Sequence, residues 1–70
     1  MSVLMWQYRG PDAEGADNWV GTTLGQSFLV TKDRHHGVRL WKLSAGKREL
    51  VGVGFNNVEA AKSHAPMVAA

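Results

Sequence analysis

The chain has 70 residues, no cysteine, 44% hydrophobic residues and a formal net charge of +2. This length allows one domain, near the small end of what folds alone, and the lack of cysteine excludes disulfides and thiolate metal sites as sources of stability. The hydrophobic content is too high for a disordered tail. The core must therefore come from packing within the chain or against a partner.

The segment Met1 to Tyr8 is apolar, but it lacks the basic lead-in and the small-residue cleavage site of a signal peptide. It is also too short to span a bilayer. We therefore expect a soluble, cytoplasmic protein that does not bind membranes.

Basic residues are concentrated in one part of the chain. Residues 32 to 48 contain six basic side chains and one acidic side chain, a formal charge of +5 over seventeen residues. This clustering is typical of a basic face that attracts phosphate groups or an acidic protein, and a solvated surface without a partner is the alternative.

The alternation of residue types predicts five strands. The first, at about 3–9, has Leu4, Trp6 and Tyr8 at period two and suits either a sheet edge or a dimer axis. A loop rich in Gly, Pro and Asp follows at 10–18. The other strands are predicted at about 19–24, 27–32, 38–43 and 49–55, with turns at 25–26, 33–37 and 44–48.

The last strand contains two glycines among valines. Period two places Val51, Val53 and Phe55 on one face, and Gly52 and Gly54 on the other. The glycines predict either that another group approaches that face closely or that the strand has a bulge.

A helix is predicted at about 57–65. Asn56 is the predicted N-cap, and Glu59 three residues later completes a capping box. Pro66 is expected to end the helix, which leaves residues 67–70 as a frayed tail. The stripe that should pack on the sheet is made of Val58, Ala61 and Ala65.

Several short strands followed by one helix predict an α+β fold. We expect an antiparallel sheet of three to five strands with one carboxy-terminal helix packed on one face, as a single domain spanning residues 1–70. A binding site is then expected on the uncovered face of the sheet.

The sequence does not favour catalysis. Its serines lie in no nucleophile-elbow context, and three of its six carboxylates fall in the loop 10–18. His35, His36 and His64 match no zinc spacing, and the segment 52–54 lacks the remaining residues of a phosphate-binding loop. We therefore expect no enzyme, no metal and no cofactor.

The candidate binding residues surround the strand 38–43. If Val38 faces the helix, Arg39 and Trp41 face outward, where arginine can bind phosphate or guanine and an indole can stack on a base. The opposite arrangement buries Trp41 and Leu43, and the size of these side chains favours it. The choice stays open at this point.

The segment from Val51 to Ala61 resembles the end of the plant ethylene-response-factor DNA-binding domain. In that family a last strand ending Leu-Gly-x-Phe leads through a polar turn into a Glu-Ala-Ala helix. The residues that fit this order are Phe55, Asn56, Glu59 and Ala61, although the glycine is displaced by at least one residue and no Trp-Leu precedes it. The plan is also similar to the amino-terminal arm-binding domain of phage integrases and to small phage or mobile-element proteins.

The resemblance covers about half of the chain and omits the strands before residue 25. It implies a three-stranded antiparallel sheet backed by a helix, with arginine and tryptophan side chains of the sheet in the DNA major groove. Arg39 and Trp41 occupy the matching strand.

The leading hypothesis is a non-enzymatic module that binds DNA through its sheet. The alternative is a protein-interaction module, either a homodimer or a phage-type inhibitor of a host protein, anchored by Trp6, Tyr8 and Trp19. The residues predicted to contact DNA are Arg39, Trp41, Lys32, Arg34, Lys42, Lys47 and Arg48.

Overall fold

Five strands in one antiparallel sheet and a carboxy-terminal helix make up the computed structural model, which describes residues 5–13, 15–23 and 25–69. The sheet order is β1-β2-β3-β4-β5, so the predicted α+β fold is confirmed. Residues 3, 4 and 24 of the predicted strands lie outside the described residues. The elements are β1 (Met5–Pro11), β2 (Asp17–Thr23), β3 (Gln26–Asp33), β4 (Gly37–Ser44), β5 (Lys47–Phe55) and α1 (Val58–Ala69).

The strand β1 extends past its predicted end because a bulge lets pairing continue. Pairing is regular up to Tyr8, Arg9 is the extra residue, and the ladder resumes at Gly10. Gly10 has a φ of +79°, which glycine adopts without steric cost. The predicted loop at 10–18 is therefore too long, since β1 ends at Pro11 and β2 begins at Asp17.

The core lies between α1 and the strands β3 and β4. Phe28, Val30 and Leu40 have no exposed surface, and neither do Ala61 and Ala65 of the helix. Burying each of the three larger side chains contributes roughly 1.5–3 kcal/mol. The two alanines let the helix backbone approach the sheet closely, as the small-residue stripe predicts.

The helix begins one residue later than predicted, because Asn57 and not Asn56 is its N-cap. The backbone N–H of Ala60 donates to Asn57 Oδ1 at 2.8 Å. Glu59 is then the second helical residue, so it is not placed to complete a capping box. Its Oε1 lies 3.6 Å from Lys62 Nζ.

The helix continues past Pro66 to Ala69, so the predicted end at residue 65 is wrong. Proline lacks the N–H of the helical ladder and crowds the carbonyl four residues earlier. Val68 packs against the core and stabilises the final turn, which offsets this cost.

Two bulges in β5 change which side chains share a face. Val51 is an extra residue beside Gly52, and Gly54 is a second extra residue, with a φ of +76°. Val51 packs against the core, whereas Val53 is 61% exposed. The placement of Val53 with Val51 is therefore wrong, because each extra residue shifts the period-two alternation. The bulge that the glycines predict is confirmed at Gly54.

The turn between β4 and β5 is shorter than predicted and contains an unusual alanine. Ser44 pairs with Lys47, so only Ala45 and Gly46 connect the strands. Their φ angles are +50° and +77°, which is typical of a type I′ turn. An alanine in this left-handed conformation costs about 1 kcal/mol.

We predict that Ala45→Asn raises the free energy of unfolding by roughly 0.5–1 kcal/mol, because asparagine tolerates positive φ better than alanine. Urea unfolding measures the change. Ala45→Val is the control, and it should lower the stability because a β-branched side chain resists positive φ. Equal stabilities of the two variants would contradict the turn conformation.

Candidate functional site

The helix covers one face of the sheet, which we name the helix face. No described residue covers the opposite face, which we name the open face. Val38 and Leu40 pack beneath α1, so the alternate residues Arg39 and Trp41 lie on the open face. Burial of Trp41 in the core, which its size favours, is therefore not observed. Other open-face side chains of β3, β4 and β5 are Leu29, Thr31, Leu43, Arg48, Leu50 and Val53.

Arg39, Trp41 and Arg48 form the arginine–tryptophan cluster. The guanidinium carbons of Arg39 and Arg48 lie 5.1 Å and 4.6 Å from the centroid of the Trp41 ring. Arg39 precedes Trp41 on β4, and Arg48 lies on β5 opposite Leu43, so the two cations approach from opposite directions along the strand. Each such contact contributes roughly 0.5–1 kcal/mol at an exposed site.

The Trp41 ring is also held by a hydrogen bond. Its Nε1–H donates to Thr31 Oγ1 at 3.0 Å, and Thr31 is buried on the neighbouring strand. Two cation–π contacts and this hydrogen bond together restrict the rotamer of the indole. The cluster is therefore a pre-oriented group rather than three independent side chains.

The two arginines of the cluster carry unneutralised charge. Within the described residues the ion pairs are His36 with Asp33 and Lys62 with Glu59, and neither arginine takes part. Nε of Arg39 is buried, and among the described residues it has no hydrogen-bond partner. The terminal guanidinium nitrogens are then the groups that a ligand could contact.

The other predicted DNA contacts do not join this cluster. Lys32 and Lys42 lie opposite core residues of the neighbouring strand, and cross-strand partners share a face, so both lysines lie on the helix face. Arg34 lies in the turn between β3 and β4, whereas Lys47 starts β5 at the opposite end of the sheet. The seven predicted residues therefore do not form one basic surface.

Trp6 and Trp19 lie on the helix face of β1 and β2, the two strands that extend beyond α1. The Trp6 ring lies flat on Gly21, where a Cβ atom would come within 2.7 Å of it. Lys62 extends from the helix, and its Nζ lies 5.9 Å and 5.6 Å from the centroids of the two indoles. These two predicted protein anchors are thus half-buried within the chain.

Tyr8 is the most exposed of the three aromatic residues predicted as protein anchors, with 53% of its surface accessible. Its ring lies 5.3 Å from that of Trp19. Its hydroxyl donates to Asp17 Oδ1 at 2.7 Å, and this hydrogen bond raises the pKa of Tyr8.

The turn between β3 and β4 is ordered by Asp33. The backbone N–H of His35 donates to Asp33 Oδ1 at 2.6 Å, and His36 Nδ1 lies 3.3 Å from Oδ2. The hydrogen bond from His35, followed by that from His36, lowers the pKa of the Asp33 carboxyl. In the described ranges no three His, Asp or Glu side chains converge as metal ligands.

Two residues that orient these side chains, Thr31 and Lys62, were not among the residues predicted from the sequence. Thr31 could have been identified, because period two on β3 places it on the face opposite to Val30 and next to β4. Lys62 gave no usable signal, because its contact with Trp6 and Trp19 depends on how far the helix lies from β1.

Comparison with protein-family models, with curated proteins and with solved structures gives no match to this chain. The resemblance to the ethylene-response-factor domain stays a prediction, and function rests on the geometry. Across the described ranges, no helix has the length and apolar character needed to cross a membrane.

We predict that Asp33 makes the stability depend on pH in the acid range. Because folding lowers the pKa of this carboxyl, its contribution is complete above the unfolded-state pKa and is lost as the pH falls through the lower folded-state pKa. Thermal unfolding of the wild type and of Asp33→Asn at a series of pH values measures it. The wild type should be more stable near neutral pH, and the difference should vanish at the acid end. A difference independent of pH would contradict the role of the charged carboxylate.

We predict that Gly21→Ala displaces the Trp6 ring, because no real Cβ fits 2.7 Å from it. The free energy of unfolding should fall by roughly 1–3 kcal/mol, and tryptophan emission should shift to the red as Trp6 becomes exposed. Denaturant unfolding and fluorescence spectra measure both effects. In a Trp6→Leu background the same substitution should cost less, and an equal cost in both backgrounds would argue against this contact.

Proposed function

We propose that this protein is a non-enzymatic DNA-binding module that contacts duplex DNA through the open face. One observation carries the proposal: Arg39 and Arg48 are stacked on Trp41 on the uncovered side of the sheet, without a carboxylate partner among the described residues. A positive pair oriented in this way suits a ligand with negative charge on its surface.

Stacked guanidinium groups suit DNA for a geometric reason. An arginine that lies against an aromatic ring keeps its N–H edge available, and this edge can donate two parallel hydrogen bonds to a phosphate or to guanine O6 and N7. Trp41 then has a different role from that of an exposed indole that stacks on a base. It positions Arg39 and Arg48 before the ligand arrives, which reduces the entropy lost on binding.

The width of the sheet favours one part of the open face. Strands lie about 4.8 Å apart, so all five span roughly 19 Å, whereas β3 to β5 span roughly 10 Å. The major groove of B-DNA is about 12 Å wide and admits a two-stranded ribbon. The hairpin of β4 and β5 carries the whole cluster, and it is therefore the element proposed to enter the groove.

The remaining basic residues take a secondary part in this proposal. Lys47 lies at the tip of the hairpin, but it pairs with Ser44, which shares a face with Lys42, so Lys47 also lies on the helix face. Lys32 and Lys42 are on the helix face, so they raise the general positive potential without direct contact. The proposed contact set is thus Arg39 and Arg48, the two arginines of the arginine–tryptophan cluster.

Protein binding is the second candidate, and exposed apolar side chains on β5 favour it. Leu50 and Val53 are 46% and 61% exposed and pair across the ladder with Trp41 and Arg39. A protein partner with an apolar patch and a carboxylate would match this surface. Moderate salt separates the candidates, because a complex held by apolar contacts persists whereas DNA binding weakens steeply.

We predict that the protein binds a fluorescein-labelled DNA duplex at low salt and that Arg39→Ala and Arg48→Ala each weaken the affinity by roughly tenfold. Fluorescence anisotropy measures the dissociation constants, and circular dichroism verifies that the variants fold. Arg48→Lys keeps the charge but loses the planar fork, so it should recover only part of the affinity.

Lys42→Ala is the matched control, since it removes one positive charge from the helix face. It should weaken binding less than either arginine variant does. Equal losses of affinity for Lys42→Ala and Arg48→Ala would mean that DNA binding depends only on the total positive charge. That result would overturn the assignment of the open face as the binding surface. No binding to the duplex at low salt would overturn the proposed function itself.

A further inference from the structure

The two edges of the sheet differ in how they are protected against pairing. β5 has two bulges, at Val51 and Gly54, and begins with three charged residues. Bulges and charges at an edge strand prevent other strands from adding to it. At the other edge, β1 has one bulge, at Arg9, and a proline, Pro11, and both lie in its carboxy-terminal part. Its residues 5–8 pair regularly with β2 and include no charge, since their sequence is Met-Trp-Gln-Tyr.

The unprotected edge also has exposed apolar surface. Met5 is 77% exposed and Tyr8 is 53% exposed. A regular, uncharged edge strand presents unpaired backbone N–H and C=O groups together with side chains that gain from burial. On β5, by contrast, charges and bulges extend from Lys47 to Gly54.

We propose that β1 pairs antiparallel with β1 of a second copy of this chain, forming a homodimer with one continuous sheet of ten strands. Antiparallel pairing of two identical strands has the two-fold symmetry of an isologous interface, in which the same surface serves both partners. Because residues 5–8 are uncharged, the copies meet without like-charge repulsion at the axis. A second copy of β1 is therefore a suitable partner for this edge.

The helix face gives a second reason for this partner. In each chain α1 lies over β3, β4 and β5, so β1 and β2 extend beyond the helix with Trp6 and Tyr8 on the same side. A two-fold axis perpendicular to the sheet brings the uncovered strands of both copies together between the two helices. Cross-strand aromatic pairs then form between Trp6 and Tyr8 of the two chains, and such pairs stabilise a sheet.

The charge distribution is compatible with this arrangement. β4, which carries Arg39 and Trp41, is three strands away from β1. Seven strand spacings therefore separate the β4 strands of the two copies, roughly 34 Å along the sheet. This distance is several times the screening length at physiological salt, so repulsion between the two arginine–tryptophan clusters is weak.

Sedimentation velocity and cross-linking test the dimer independently of any DNA binding. The wild type should sediment as a dimer at high concentration and dissociate on dilution. Because the chain lacks cysteine, Gln7→Cys introduces a unique thiol on β1, and a short bis-maleimide should cross-link it into dimers. Val53→Cys, exposed on the β5 edge, is the matched control and should give little cross-linked product.

The variant Met5→Lys/Gln7→Lys places charges on two exposed positions of β1 and should be monomeric with an unchanged circular dichroism spectrum. A wild type that stays monomeric at every accessible concentration would overturn the proposal. So would a dimer that survives in the double-lysine variant, or one that cross-links through Val53→Cys in preference to Gln7→Cys.

Discussion

The close contact between two alanines of α1 and the strands β3 and β4 is the constraint on which the rest of the structure depends. Ala61 and Ala65 are fully buried against Phe28, Val30 and Leu40. A helix is about 10–12 Å wide, whereas five strands span roughly 19 Å. One helix that packs this closely over β3 to β5 therefore leaves β1 and β2 uncovered.

Both edges of the sheet are stabilised by a different kind of packing. At one edge the Trp6 ring lies on Gly21. At the opposite edge the Phe55 ring lies so close to Gly52 that a Cβ atom there would come within 2.7 Å of it. In both places a glycine in a strand lets an aromatic ring cover the backbone directly. Phe55 also packs against His64 of the helix, and Lys62 covers the two indoles. The edges of this small core are thus closed by rings that lie on glycines.

Much of the fold, and the residues of the candidate site, could be predicted from local sequence, whereas the way in which these residues come together could not. Alternation located all five strands, since β-branched and aromatic residues recur at period two. The face of Trp41 could not be deduced, because both sides of β4 carry large apolar side chains. The cation–π contact of Arg48 with Trp41 depends on a two-residue turn in which Ala45 has a positive φ. The composition of that turn does not indicate this conformation. The bulges at Val51 and Gly54 likewise shift the alternation of faces along β5. The two glycines of this strand predict a bulge but not the positions of the extra residues.

The order of the strands has a consequence for how the chain folds. Every strand pairs with its neighbour in sequence, and the helix packs on the three strands that precede it. Contacts that are mostly local in sequence favour rapid folding, because few long loops must close before contacts form. We expect β3, β4, β5 and α1 to form the folding nucleus. Within one chain β1 has no direct packing on this unit, so it should join last, and in the monomer it should be the first segment to open in hydrogen exchange.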